Sequence, residues 1–176
     1  MADSSTNALR AMMNALEVIV APTVDSSDPI AQEQLQSAVR YLQFLESRLD
    51  YIYDRERLEL SHHLRLADAM MVQALTFPLT SEYLSRSIDA GRAVLERLGE
   101  NIPSMRAQTA RLASSIRLCI QEVAGAPPAV RQVVERIVLD LSEERIQLDR
   151  SWYFPLGFEH SPGDVVPLMD ALHPTG

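Results

Sequence analysis

One stretch of this chain constrains its fold more than any other: residues 29–77 contain no glycine, and their only proline is the first residue. Apolar residues recur along it every three or four positions: Leu35, Val39, Leu42, Leu45, Leu49, Ile52, Leu60, Leu64, Ala67, Met71 and Ala74. This period is typical of a helix that buries one side. Asp28 as a cap, Pro29 at the first helical position and Pro78 after the stretch predict a helix over Pro29–Phe77.

The predicted helix is too long for a compact chain of this size. At 1.5 Å per residue it would extend about 70 Å, whereas a 176-residue domain is roughly 40 Å across. Its first half also carries Tyr41, Phe44, Tyr51 and Leu58 on the outer side, which favours burial on two sides. We therefore expect this half to pack on a second copy in a homodimer. The alternative is a kink near Asp50–Arg55 that folds the helix back into a monomer.

The remaining sequence predicts an all-α fold, a helical bundle of about five main helices with one unusually long helix. The other helices are expected over residues 5–20, 81–98, 103–124 and 128–150, the second of these capped by Ser81. Gly91 in the middle of a helix indicates that a neighbouring helix approaches closely there. Residues 1–150 are thus predicted to form a helical bundle domain.

Residues 151–176 have a different composition, with four prolines and three glycines among large apolar residues. This segment predicts an irregular tail that packs on the bundle. The side chains expected to make that contact are Trp152, Tyr153, Phe154 and Phe158.

Composition excludes several classes of function. The net charge of −8 argues against a nucleic-acid partner, because phosphate binding needs a concentrated basic surface. The 16 basic residues are all arginine, so lysine-dependent chemistry is absent. A single cysteine, Cys119, permits no internal disulfide and is expected to be a packed, inert thiol. No signal peptide or membrane span is recognisable, and we expect a soluble cytoplasmic protein without a cofactor.

A cluster of polar residues interrupts the apolar stripe of the long helix. Glu56 falls at the centre of that stripe with His63 two turns later, and Glu59 and His62 lie on its flank. Glu144 lies at the centre of the apolar stripe of the last long helix. If these helices face each other, Glu56, Glu59, His63 and Glu144 would line a polar pocket for a small ligand.

The spacing Glu59-x-x-His62 also raises the possibility of a metal site. Carboxylate and imidazole three residues apart share one helix face, as in bundles that hold two metal ions, but those bundles need a second such pair. Here Glu143 and Glu144 are followed by Ile146 and Gln147. Glu59 and His62 are therefore kept only as an alternative metal pair.

The structural interpretation of the cluster is simpler. Glu56 and Glu144 would form ion pairs with arginine, for which Arg48, Arg92 and Arg145 are available, and His63 would hydrogen-bond to Glu59 one turn earlier. No complete catalytic pattern is present. The sequence therefore favours a non-catalytic helical interaction or accessory protein, homodimeric, over a small-ligand or metal-binding bundle that uses the Glu/His cluster.

Overall fold

The computed structural model describes residues 4–173, and within them it contains seven α-helices and no strand. The helices are α1 (Ser4–Asn14), α2 (Pro29–Arg48), α3 (Ile52–Ala74), α4 (Pro78–Glu96), α5 (Ile102–Ala124), α6 (Pro128–Tyr153) and α7 (Leu168–Leu172). The predicted all-α bundle is confirmed. The last three residues of the predicted tail, 174–176, lie outside the described residues.

The long helix is confirmed as a nearly continuous helical run from Pro29 to Ala74. It begins as predicted, because the Asp28 carboxylate accepts hydrogen bonds from the backbone N–H groups of Ile30 and Ala31. A single 3₁₀ turn, Leu49–Tyr51, separates α2 from α3, and Arg48 before it departs from helical geometry with φ −112°. The helix geometry therefore changes at Leu49–Tyr51, close to the position where the sequence allowed a kink.

Several helix ends differ from expectation: α1 ends at Asn14 and α3 at Ala74, and the start of α4 and the end of α6 also shift. α4 begins at Pro78 with Phe77 at the cap position, so Ser81 is not the cap; its hydroxyl donates instead to Pro78 O. Proline at the first helical position fixes this start, since its φ is already helical and it lacks the N–H that would need a partner. α6 runs through Tyr153, so the helix continues past the predicted end near Arg150.

The backbone contacts divide the chain into two compact units. The N-terminal unit comprises the residues up to Ile52 together with Trp152–Val165, and the bundle unit comprises Tyr53–Ser151 together with the residues from Val166 on. The predicted division into residues 1–150 and 151–176 stays a prediction. None of the helices in the described part of the chain has the length and apolar character that crossing a lipid bilayer requires.

The bundle unit holds the main hydrophobic core, which α3, α4, α5 and α6 all supply. Gly91 of α4 lies close to both α3 and α5: a Cβ atom there would be 2.9 Å from Leu64 Cδ2 and 3.1 Å from Leu112 Cδ1. The hydroxyls of Ser87 and Ser115 meet at 2.7 Å in the same α4–α5 interface. The predicted close approach at Gly91 is confirmed, because only small residues leave room for it.

Cys119 is fully buried in this core, as predicted. Burial raises the pKa of its thiol, and the nearby Glu122 carboxylate acts in the same direction. The thiol therefore stays protonated at neutral pH, which keeps it unreactive.

The N-terminal unit is built around a buried arginine. The Arg48 guanidinium lies 5.6 Å from the ring centroids of both Phe44 and Trp152, and its Nε donates to Trp152 O at 2.9 Å. Cation–π contacts and this hydrogen bond hold α2 against the end of α6. Burial lowers the pKa of the guanidinium, while Tyr51 acts in the opposite direction.

An aromatic patch, defined as Tyr41, Phe44 and Tyr153, adjoins this arginine through Phe44. The Phe44 ring centroid lies 5.7 Å from that of Tyr41 and 5.8 Å from that of Tyr153, so the three rings are contiguous. Phe44 is buried, whereas Tyr41 and Tyr153 are exposed. Of the four tail aromatics that the sequence predicted to pack on the bundle, only Trp152 is buried. Tyr153, Phe154 and Phe158 are exposed.

Candidate functional site

Glu56, at the centre of the predicted polar cluster, is held in an ion pair between two helices. Its carboxylate accepts from Arg106 of α5, at 2.8 Å from Nε and 2.7 Å from NH2. The Glu56 side chain is only 13% exposed, whereas that of Arg106 is 60% exposed. Glu56 therefore forms the ion pair with an arginine that the structural interpretation predicted, but its partner is Arg106 and not Arg48, Arg92 or Arg145.

The other two carboxylates of the cluster join α3 to α6. Glu144 Oε2 lies 2.5 Å from Arg65 NH2, and Glu59 Oε1 lies 3.2 Å from Arg145 Nε. Each helix thus supplies one acid and one arginine. Partly exposed pairs of this kind contribute at most about 1 kcal/mol each, so their main effect is to set the register of α3 against α6.

His63 behaves as the sequence predicted for a structural histidine. Its Nδ1–H donates to the backbone carbonyl of Glu59 at 2.9 Å, one turn earlier in α3. The Glu59 carboxylate is farther away, with Oε1 at 3.7 Å from the same nitrogen. This bond fixes the tautomer of the ring, because a carbonyl oxygen only accepts.

His62 is the residue that the sequence misplaced. Expected on the flank of the stripe, it is 5% exposed, and its ring stands perpendicular to that of His63 with centroids 5.6 Å apart. Its Nδ1 has no hydrogen-bond partner among the described residues. The helical wheel missed this burial because Glu144, Arg145 and Leu148 of α6 lie beside the flank of α3 that carries His62, which only the packing of the two helices reveals.

The small cavity at His62 has a volume of about 10 Å³. Its lining residues are Leu58, Glu59, His62, Glu144, Arg145 and Leu148. This volume is about what a single water molecule needs. The protein's own side chains therefore fill the space in which the sequence predicted a small ligand. The cluster predicted from the sequence is brought together here in part, since Glu59 and Glu144 share this cavity and Glu56 pairs separately with α5.

Metal binding by Glu59 and His62 stays a prediction. Across residues 4–173, no three His, Cys, Asp or Glu side chains are grouped as a metal site requires. Glu59 is moreover engaged by Arg145. The ligand-binding role of Glu56, Glu59, His63 and Glu144 likewise stays a prediction, since each carboxylate of that set already has an arginine partner.

Titration of His62 is expected to make stability depend on pH. Burial lowers the pKa of His62, with further lowering from His63, Arg65 and Arg145, while Glu59 acts in the opposite direction. The unfolded chain therefore takes up a proton near pH 6.5 that the folded chain does not. The contribution of neutral His62 is fully present above about pH 6.5 and is lost as the pH falls from there through the folded pKa.

Urea unfolding at a series of pH values measures this effect. The wild-type protein should lose stability between pH 7 and pH 5, and His62→Leu should flatten that slope, whereas His160→Leu, which alters an exposed histidine, should not. An unchanged slope in His62→Leu would show that His62 is not buried as a neutral ring.

Comparison with known proteins found no matching family model, no matching curated protein and no matching solved structure. The function must therefore be argued from the chain's own surfaces.

Proposed function

We propose that this protein is a non-catalytic helical interaction protein that acts as a homodimer through the N-terminal unit. The aromatic patch of Tyr41, Phe44 and Tyr153 carries this proposal. In this patch the exposed rings of Tyr41 and Tyr153, each with a phenol group, flank the buried ring of Phe44. Aromatic residues, tyrosine among them, are enriched at protein interfaces because they bury a large area and lose few rotatable bonds.

The small core of the N-terminal unit supports the proposal. Its buried apolar side chains are Val39, Phe44, Trp152 and Leu156. Met12, Ile19, Ile30 and Leu45 of the same unit are exposed, as are the two tyrosines. Units of this size gain little stability from their own cores, and association with another chain is a common way to add buried area. The exposed apolar side chains of this unit are thus available for such an association.

The partner proposed here is a second copy of this chain. Each chain carries a net charge of −8, which repels a second copy, so an interface between two copies needs surface without additional like charges. The aromatic patch contains no carboxylate or guanidinium. In a two-fold dimer the same patch occurs on both sides of the interface, which lets the rings of one chain pack on those of the other.

Light scattering coupled to gel filtration at micromolar concentration tests the proposal. We expect twice the chain mass of 19.7 kDa for the wild-type protein. In Tyr41→Glu the mass should fall to that of one chain, because the substitution places two like charges within the two-fold interface.

The matched control is Tyr83→Glu. Tyr83 lies on α4 of the bundle unit and is 55% exposed, against 54% for Tyr41. This variant should remain dimeric. A wild-type mass of 19.7 kDa at every concentration would remove the proposal, and equal dissociation of both variants would place the interface elsewhere.

A further inference from the structure

A second feature, in the bundle unit, is a pocket of about 310 Å³ beside the N-terminal half of α3. Asp54, Arg57, Leu58 and Ser61 line it from one helix face, because residues three, four and seven apart lie together on a helix. Leu95 of α4 and Leu172 of α7 complete its apolar lining, and the His173 imidazole after α7 also lines it. Small-ligand sites range from roughly 300 to 1,000 Å³, so this pocket has room for a small molecule.

The aspartate and the arginine of the pocket are opposite in sign and form no ion pair with each other. Within residues 4–173, no arginine or histidine forms an ion pair with the carboxylate of Asp54, although this side chain is half-buried. By contrast, Glu56, Glu59 and Glu144 of the bundle unit each form an ion pair with an arginine. A partly buried carboxylate without a counter-charge costs free energy, which a cationic group of a ligand would recover.

Arg57 is positioned to bind a group of the opposite charge, a carboxylate. Its NH1 donates to Leu95 O at 2.9 Å, which ties the guanidinium to the last turn of α4. That bond uses one of five N–H donors, and the rest remain available for a ligand carboxylate. Residues 54 and 57 are neighbours on the helix surface, with Cβ atoms about 5–6 Å apart. The acceptor carboxylate of Asp54 and the donor guanidinium of Arg57 therefore lie side by side on the pocket wall.

From this arrangement we infer that the pocket binds a free α-amino acid with an apolar side chain. The ligand ammonium pairs with Asp54 and its carboxylate with Arg57, while its side chain packs on Leu58, Leu95 and Leu172. A ligand with only a carboxylate would bring it beside Asp54, and one with only an ammonium would bring it beside Arg57. A ligand that carries an ammonium and a carboxylate on the same carbon is therefore needed to match the wall.

Isothermal titration of the full chain tests this inference. L-leucine is the probe, and L-leucinamide and 4-methylpentanoate are matched probes that keep the side chain and lack one charge each. We expect L-leucine to saturate the protein with a Kd of about 1 mM or tighter, and both matched probes to bind at least about tenfold more weakly. Absence of binding by L-leucine at about 20 mM, or equal binding of all three, would overturn the inference.

Asp54→Asn supplies a second arm, and Asp50→Asn is its control. Asp50 lies one turn earlier, is exposed and is not part of the pocket lining. Asp54→Asn should weaken L-leucine binding at least about tenfold, which corresponds to about 1.4 kcal/mol, and Asp50→Asn should leave it unchanged. Equal affinity in both variants would contradict the inference, and the three-probe comparison decides it if Asp54→Asn fails to fold.

Discussion

Trp152→Ala is expected to lower the free energy of unfolding by about 3–5 kcal/mol, the range for removing a buried tryptophan. Trp152 is 5% exposed and is one of few buried apolar side chains in the N-terminal unit. Its loss opens a cavity and also removes one of the two rings that lie against the Arg48 guanidinium. Urea unfolding followed by circular dichroism measures the effect.

Hydrogen exchange shows where the stability is lost. Amides of α2, which carries Arg48 and Phe44, should exchange faster in Trp152→Ala than in the wild-type protein, while those of α5 should change less. Phe158→Ala is the control, since Phe158 belongs to the same unit and is exposed, and it should cost less than about 0.5 kcal/mol. Equal costs for the two variants would mean that Trp152 is not packed as described.

Gly91→Val is expected to destabilise the bundle unit by about 2–3 kcal/mol. A Cβ at this position already lies 2.9 Å from Leu64 Cδ2 and 3.1 Å from Leu112 Cδ1, and valine adds two methyl groups to it. Both leucines are buried in the core, so they cannot move away without disturbing other contacts. The gain in helix propensity over glycine is smaller than this overpacking cost.

Ala93→Val separates packing from propensity. Ala93 lies two positions later in α4 and is exposed, so the substitution carries the cost of a β-branched side chain in a helix without any clash. We expect a loss below about 1 kcal/mol for this control in thermal or urea unfolding. Gly91→Val with the same stability as Ala93→Val would refute the close approach of α3, α4 and α5.

Local signals in the sequence account for most of the fold. The cap at Asp28, the prolines at residues 29 and 78 and the apolar period of the long helix act within about four residues, so they can be recognised without knowing the neighbours. Gly91 predicted a close helix approach for the same reason. Ser81 also predicted a helix start, but α4 begins at Pro78. Proline fixes φ at a helical value, whereas a serine hydroxyl only stabilises a helix start by accepting a backbone hydrogen bond.

The candidate site was recognised less completely. The helical wheel identified Glu56 and Glu144 as carboxylates on apolar faces, and both do form ion pairs, but with Arg106 and Arg65. Residues 56 and 106 are fifty positions apart. No spacing rule links such residues, because their distance depends on how α3 and α5 pack.

What the sequence determined by itself is therefore the set of helices, the capped beginning of the long helix and most of the buried side of α3, since backbone preference and hydrophobic period are properties of neighbouring residues. It did not determine the buried side of α2, where Phe44 and Arg48 are buried and Leu45 is exposed. Only the tertiary structure decided which arginine meets which carboxylate, that His62 is buried with no partner for Nδ1 among the described residues, and that Asp54 and Arg57 share a pocket with Leu172. These features depend on distances between helices, which arise when several apolar faces are satisfied at once.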